Sequence, residues 1–161
     1  MQAVLDGVRR IVQALRASSR RAEQEVGLSA AQLFVLQRLA DAPALSINEL
    51  AARTHTHQSS VSTVVTKLVE KGLVRRTASA DDARRVELSL APRARRVVGR
   101  GPDVAQARLV EAVERLAAAR RRQLAAMLAE LAQAMDADAR PPRMFFEDRR
   151  RAPRRTARLS A

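Results

Sequence analysis

Between Ser46 and Leu90 the hydrophobic pattern changes period, and this constrains the fold more than any other feature of the chain. Ser46-Ile47-Asn48-Glu49 is a capping box: the hydroxyl can accept from the Glu49 amide while Glu49 reaches back. It opens a short helix, which Leu50 and Ala51 continue to about Thr54. After a break at 54–56, a second helix runs over roughly 57–71 and stops at Gly72, a good C′ residue. Val61, Val64, Val65, Leu68 and Val69 line one face of it. Gln58, Ser59, Ser62, Thr63, Thr66 and Lys67 line the other. A merely solvated face more often carries Glu and Lys four residues apart. This one is largely uncharged and rich in hydrogen-bonding groups. The period then shifts from helix to strand. Two short strands are expected at 73–77 and 85–90, the second alternating Val86, Leu88 and Leu90 with Glu87 and Ser89. Residues 78–84 form the polar tip between them.

Two short helices, a tight turn and a polar-faced second helix make a helix-turn-helix, and a basic hairpin directly after it makes a winged helix. The physics suits duplex DNA. The major groove admits one α-helix, whose side chains read base edges, and nearby cations neutralise phosphates and release counterions. Arg53, Lys67, Lys71, Arg75, Arg76, Arg84 and Arg85 cluster around this helix and hairpin.

The flanks are helical. Val4, Leu5, Val8, Ile11, Val12 and Leu15 recur at helical spacing over 3–24, with Gly27 as the stop. Ser29 is a good N-cap for a helix over about 30–41, which Pro43 ends. Pro92 suits the first turn of another helix. Composition is helical over 92–135, with a fault at Gly99-Arg100-Gly101-Pro102 and a second break near 114–119, where the alanine-rich sequence shows no cap. Leu109, Val113 and Leu116, then Leu124, Met127, Leu128, Leu131 and Met135, keep an apolar stripe. About 40 helical residues span roughly 60 Å, and a stripe of that length should find a second chain. Residues 140–161 carry three Pro and many Arg without periodicity, and are expected to be disordered.

Charge separates these parts. The net +13 divides into +1 over residues 1–50, +7 over 51–100, −1 over 101–139 and +6 over 140–161. The excess therefore sits on the winged helix and the tail. There is no Cys, which excludes disulfides, thiolate nucleophiles and cysteine-based metal or redox sites. Only Phe34, Phe145 and Phe146 are aromatic, too few for a single-strand stacking platform. The expectation is a soluble, cytoplasmic protein, without an apolar run of about 18 residues to span a membrane or a signal-peptide layout at the start. No Ser-His-Asp set, phosphate loop or paired acids offers catalysis. His55 and His57 lack further metal ligands and suit a capping or phosphate-contacting role. No cofactor or metal is expected.

Gly27-Leu28-Ser29, Glu49-Leu50-Ala51, Ser59-Ser60-Val61-Ser62, the run from Leu68 through Lys71-Gly72-Leu73-Val74, and Asp82-Ala83-Arg84-Arg85 together resemble MarR-family transcriptional regulators. The resemblance covers about 1–136. It implies a mainly α fold with a small β wing (α+β), a winged helix-turn-helix flanked by N- and C-terminal dimerisation helices. The parts would be a dimerisation helix at 1–28, the DNA-binding domain at 29–91, dimerisation helices at 92–136 and a basic tail at 137–161. It implies a homodimer on a pseudo-palindromic double-stranded DNA site, acting as a repressor. Carried over by position, the readers would be Gln58, Ser59, Ser60, Ser62, Thr63 and Lys67. Arg84 would enter the minor groove, oriented by Asp82, with Arg75 and Arg85 as further wing contacts. Family members often bind small aromatic or phenolic anions, and the corresponding lining here would be Val12, Leu15, Arg16, Leu33 and Phe34, unless these are simply core and interface residues. Thr63 stands where the family often has Arg, and Thr56-His57-Gln58 lacks the common Asp-Pro start. Base preference is therefore this chain's own. A nonspecific architectural DNA binder and a winged-helix protein-interaction module are the alternatives. The tail could add phosphate contacts, meet an acidic partner or do neither.

Overall fold

The computed structural model describes residues 1–42, 45–79, 85–136 and 143–147. The chain begins with a long helix, α1 (Gln2–Val26), stopped by Gly27, whose φ of 68° lies in the left-handed region a glycine enters without a Cβ clash. Ser29 caps α2 (Ala30–Asp41) through a complete capping box with Gln32. Ser46 does the same with Glu49 for α3 (Ile47–Thr54). The recognition helix, α4 (Gln58–Glu70), follows a three-residue turn. Its end is a Schellman motif: Gly72 at φ 66° donates to the Val69 carbonyl at 2.9 Å, and Leu73 donates to that of Leu68 at 2.9 Å.

The strands β1 (Val74–Ala78) and β2 (Val86–Leu90) pair antiparallel, with Val74 opposite Leu90 and Ala78 opposite Val86. Each begins one residue later than its hydrophobic pattern suggests. The amide of Leu88 donates to the Leu45 carbonyl at 2.8 Å, so the segment entering α3 lies along the wing. The tip between the strands lies outside the described residues.

Pro92 occupies the first turn of α5 (Pro92–Arg100). After the Gly101-Pro102 fault comes α6 (Ala105–Glu114). Its first turn has no local side-chain cap; Ser18 of α1 accepts from the Ala105 amide at 2.9 Å instead. The break left open at 114–119 falls between Glu114 and Ala118, where α7 (Ala118–Ala134) begins with no side-chain cap.

One core joins these pieces. Leu33, Phe34 and Leu36 of α2, Leu50 of α3, Val61, Val64 and Leu68 of α4 and Leu88 of β2 are all fully buried. Two apolar faces stay outside it. Val4, Leu5, Val8, Ile11 and Val12 of α1 are exposed, as are Leu124, Met127, Leu128 and Leu131 of α7. No residue of α7 is buried. Among the described residues no helix is long and apolar enough to cross a membrane.

Within the segment expected to be an unstructured tail, residues 143–147 are packed. Met144 is 4% exposed and joins the core, and Phe146 packs against it. The tail's other residues lie outside the described ones.

Candidate nucleic-acid interface

The inner face of α4 explains why its outer face is available. Ser60, Val61, Val64, Val65 and Leu68 are buried at helical spacing, so the opposite stripe turns outward. Gln58, Ser59, Thr63 and Thr66 are exposed, with Ser62 and Lys67 half-buried. Ser60 departs from the expected reader set. It precedes Val61 on the inner face, is 6% exposed, and is withdrawn from any groove surface. Thr66 takes a place beside the readers that the carried-over positions did not include.

The threonine hydroxyls have a defined polarity here. Thr63 Oγ1 donates to the Ser59 carbonyl at 3.0 Å, and Thr66 Oγ1 to the Ser62 carbonyl at 2.9 Å. Each hydroxyl thus turns its accepting side away from the helix, suited to a base amino group.

Three contacts between distant residues hold this helix and wing in place. Lys71 Nζ donates to Gln32 Oε1 at 3.0 Å, joining the end of α4 to the capping box of α2. Arg76 Nη2 donates to Thr66 Oγ1 at 3.1 Å, joining β1 to the outer face of α4. Arg85 Nη2 lies 2.7 and 2.8 Å from the two Glu49 carboxylate oxygens. Arg85, expected to contact DNA, thus ties the base of the wing to the first turn of α3. No local pattern announces these pairs, whose partners stand 39, 10 and 36 residues apart. Arg75 is exposed on β1. Asp82 and Arg84 lie outside the described residues.

Glu49 has a further consequence for pH. The Ser46 backbone amide, the Ser46 hydroxyl and Arg85 all donate to its carboxylate, which lowers its pKa from an ordinary 4.5 to about 2. A depressed carboxyl contributes stability above its unfolded pKa and loses it as pH falls toward the folded value. The melting temperature of the parent chain is therefore expected to exceed that of Glu49→Gln at neutral pH. The gap should close on acidification through the window from 4.5 to about 2. A pH-independent gap in thermal melts followed by circular dichroism would count against this account.

The turn between α3 and α4 faces the flanking helices. His55 adopts φ 49°, and its Nε2 lies 3.0 Å from Glu114 Oε1 at the end of α6. His57 is the N-cap of α4 without a side-chain cap bond. His55 therefore links the helix-turn-helix to α6. Among the described residues no group of three potential metal ligands occurs. Beside this link is a cleft of about 720 Å³, with Ala51, His55 and His57 on one wall, Gln106, Leu109 and Val110 on the other, and residues 143–145 at one end. An adjoining hollow of about 340 Å³ shares His55, Leu109 and Val110 and adds Arg121. None of the residues expected to line an effector site borders either space. Leu33 and Phe34 are fully buried, Leu15 is nearly so, and Val12 and Arg16 are exposed on α1. The Arg38 guanidinium stacks 5.1 Å from the Phe34 ring centre.

Known proteins share this arrangement. A family model described as MarR family matches residues 26–85. The chain is 30% identical over 122 residues to the HTH-type transcriptional repressor Rv2887 of Mycobacterium tuberculosis, covering 76% of this chain and 88% of that protein. It is 36% identical over 67 residues to the HTH-type transcriptional repressor MdtR of Bacillus subtilis, or 42% of this chain and 43% of that protein. Among solved structures it resembles BpsR of Bordetella bronchiseptica, with a TM-score of 0.56 and 27% identity over 84% of this chain and 94% of that one. The BpsR structure is described as a mechanism for regulation of its DNA binding by 6-hydroxynicotinic acid.

Proposed function

We propose that this chain, which belongs to the MarR family of transcriptional regulators, acts as a homodimer that represses from a pseudo-palindromic operator and is released by a small molecule. The observation that carries the DNA reading is the outer face of α4. It presents uncharged donors and acceptors at helical spacing, with a buried valine face holding it rigidly against the core. Gln58, Ser59, Ser62, Thr63 and Thr66 read base edges, and Lys67 and Arg75 meet phosphates. Arg84 at the wing tip extends the contact into the minor groove, oriented by Asp82. Arg85 acts as a positioning residue through Glu49. The exposed apolar faces of α1 and α7 supply the dimer contact.

The effector reading rests on the cleft between the helix-turn-helix and α6. It has apolar walls, one buried amide at Gln106 and a cationic rim at Arg143. That chemistry suits a small aromatic acid or phenol. A ligand there would bear directly on the turn that sets the angle of α4. The aromatic acid named for BpsR is of this class.

Footprinting and sequence selection on genomic DNA test the reading. The expected result is a two-fold symmetric protected site whose preferred bases change when Gln58 and Thr63 are exchanged for other side chains. One misread base pair costs about 1–3 kcal/mol, enough to alter a selected motif. Uniform protection along DNA would indicate an architectural protein. No binding at all would indicate a protein-interaction module.

A further inference from the structure

The packed segment at residues 143–147 calls for a role. Met144 is 4% exposed and lies in the core, while its neighbour Phe145 is 48% exposed at the end of the cleft. Glu147 donates its amide to the Met144 carbonyl at 3.2 Å, closing a tight turn. Phe146 inside that turn has φ 56°, a conformation that aromatic residues rarely adopt. A backbone held there must be held by its side-chain contacts, and here these are the half-buried Phe146 and the buried Met144. Two of the chain's three aromatic residues sit in this turn, in an otherwise arginine-rich, proline-rich sequence.

The cleft also shows a group that the segment does not satisfy. Gln106 of α6 lines it and is 5% exposed, yet its Oε1 has no hydrogen-bond partner among the described residues. A buried acceptor without a donor weakens whatever covers it, because its desolvation is uncompensated. An occupant with an apolar body and an O–H or N–H donor would complete the site, whereas Met144 and Phe145 fill space without donating from their side chains.

We propose that residues 143–147 are an intramolecular ligand of the cleft, and that a small aromatic molecule bearing a hydrogen-bond donor binds by displacing them. The segment ties the core to α6 at the wall opposite the His55–Glu114 contact, so its departure frees the helix-turn-helix from one of its two links to that helix. This extends the effector reading given above. Docking can be measured whether or not an effector acts on DNA binding.

The chain has no cysteine, so a single introduced thiol reports without background. In the full-length protein, the thiol of Met144→Cys should react with a disulfide reagent at least ~10-fold more slowly than that of Phe145→Cys, since reaction needs local opening. Saturation with the aromatic anion 8-anilinonaphthalene-1-sulfonate should bring the two rates together while circular dichroism stays unchanged. A second pair of full-length variants tests the competition. Met144→Gln should bind the same probe about 10-fold more tightly, because the occupied fraction of the cleft no longer reduces the apparent affinity. Met144→Leu should behave as the parent. Equal thiol rates without the probe, or equal probe affinity for Met144→Gln and Met144→Leu, would overturn the proposal.

Discussion

Leu128→Asp is expected to leave a folded monomer whose operator affinity has dropped on the order of 100-fold or more. Leu128 is 52% exposed, and no residue of α7 is buried within its own chain. A carboxylate there therefore has no intrachain packing to disturb. It would instead stand inside the apolar surface that α7 offers to a second copy, where an unpaired charge is strongly unfavourable. Losing the dimer removes the second recognition helix, and with it the avidity of two linked half-site contacts, which amounts to about 10²–10⁴-fold. Ile11→Asp on the exposed face of α1 should act in the same direction. Sedimentation equilibrium reads the mass, and an electrophoretic shift reads the affinity. A variant that remains dimeric and binds normally would show that the α7 stripe serves another contact.

Phe34→Ala should destabilise the chain by about 3–5 kcal/mol, the usual range for emptying a fully buried phenylalanine site. Phe34 is completely buried at the middle of α2, the helix that α1, α3, α4, α5, α6 and β2 all touch. The hole would open where the helix-turn-helix meets the flanking helices. At about 2–4 °C per kcal/mol for a chain of this size, melting should fall by roughly 6–20 °C. Phe34→Leu, which keeps most of the volume, should lose much less. The experiment also separates two roles for this residue. A ring lining an effector site would change ligand affinity and spare the melting temperature. A core ring does the reverse.

Much of the fold was legible because it is local. Ser29 and Ser46 cap helices by bonding to amides three residues on. Gly27 and Gly72 end helices because they occupy the left-handed region at no steric cost. The shift from helical to alternating period at Gly72 announces the wing, and the core face of α4 follows from Val61, Val64, Val65 and Leu68 alone. Ser60 shows where such reasoning blurs. It borders the apolar stripe, and a rotation of part of a turn decides whether a small polar residue at that edge faces a groove or the core. The break between α6 and α7 was detectable as a region but had no cap to mark its position.

What the sequence by itself determined is each element, its approximate ends and the chemistry of its two faces, since these depend on spacing within a few residues. The tertiary structure alone decided which distant side chains meet. It turned Arg85 from a free cation into a brace on Glu49, set His55 against Glu114, and seated Met144 beside Gln106 in a cleft between two helices. Such contacts depend on how whole helices and strands pack against one another, and that packing is set by the shared core around Phe34 rather than by any short run of residues.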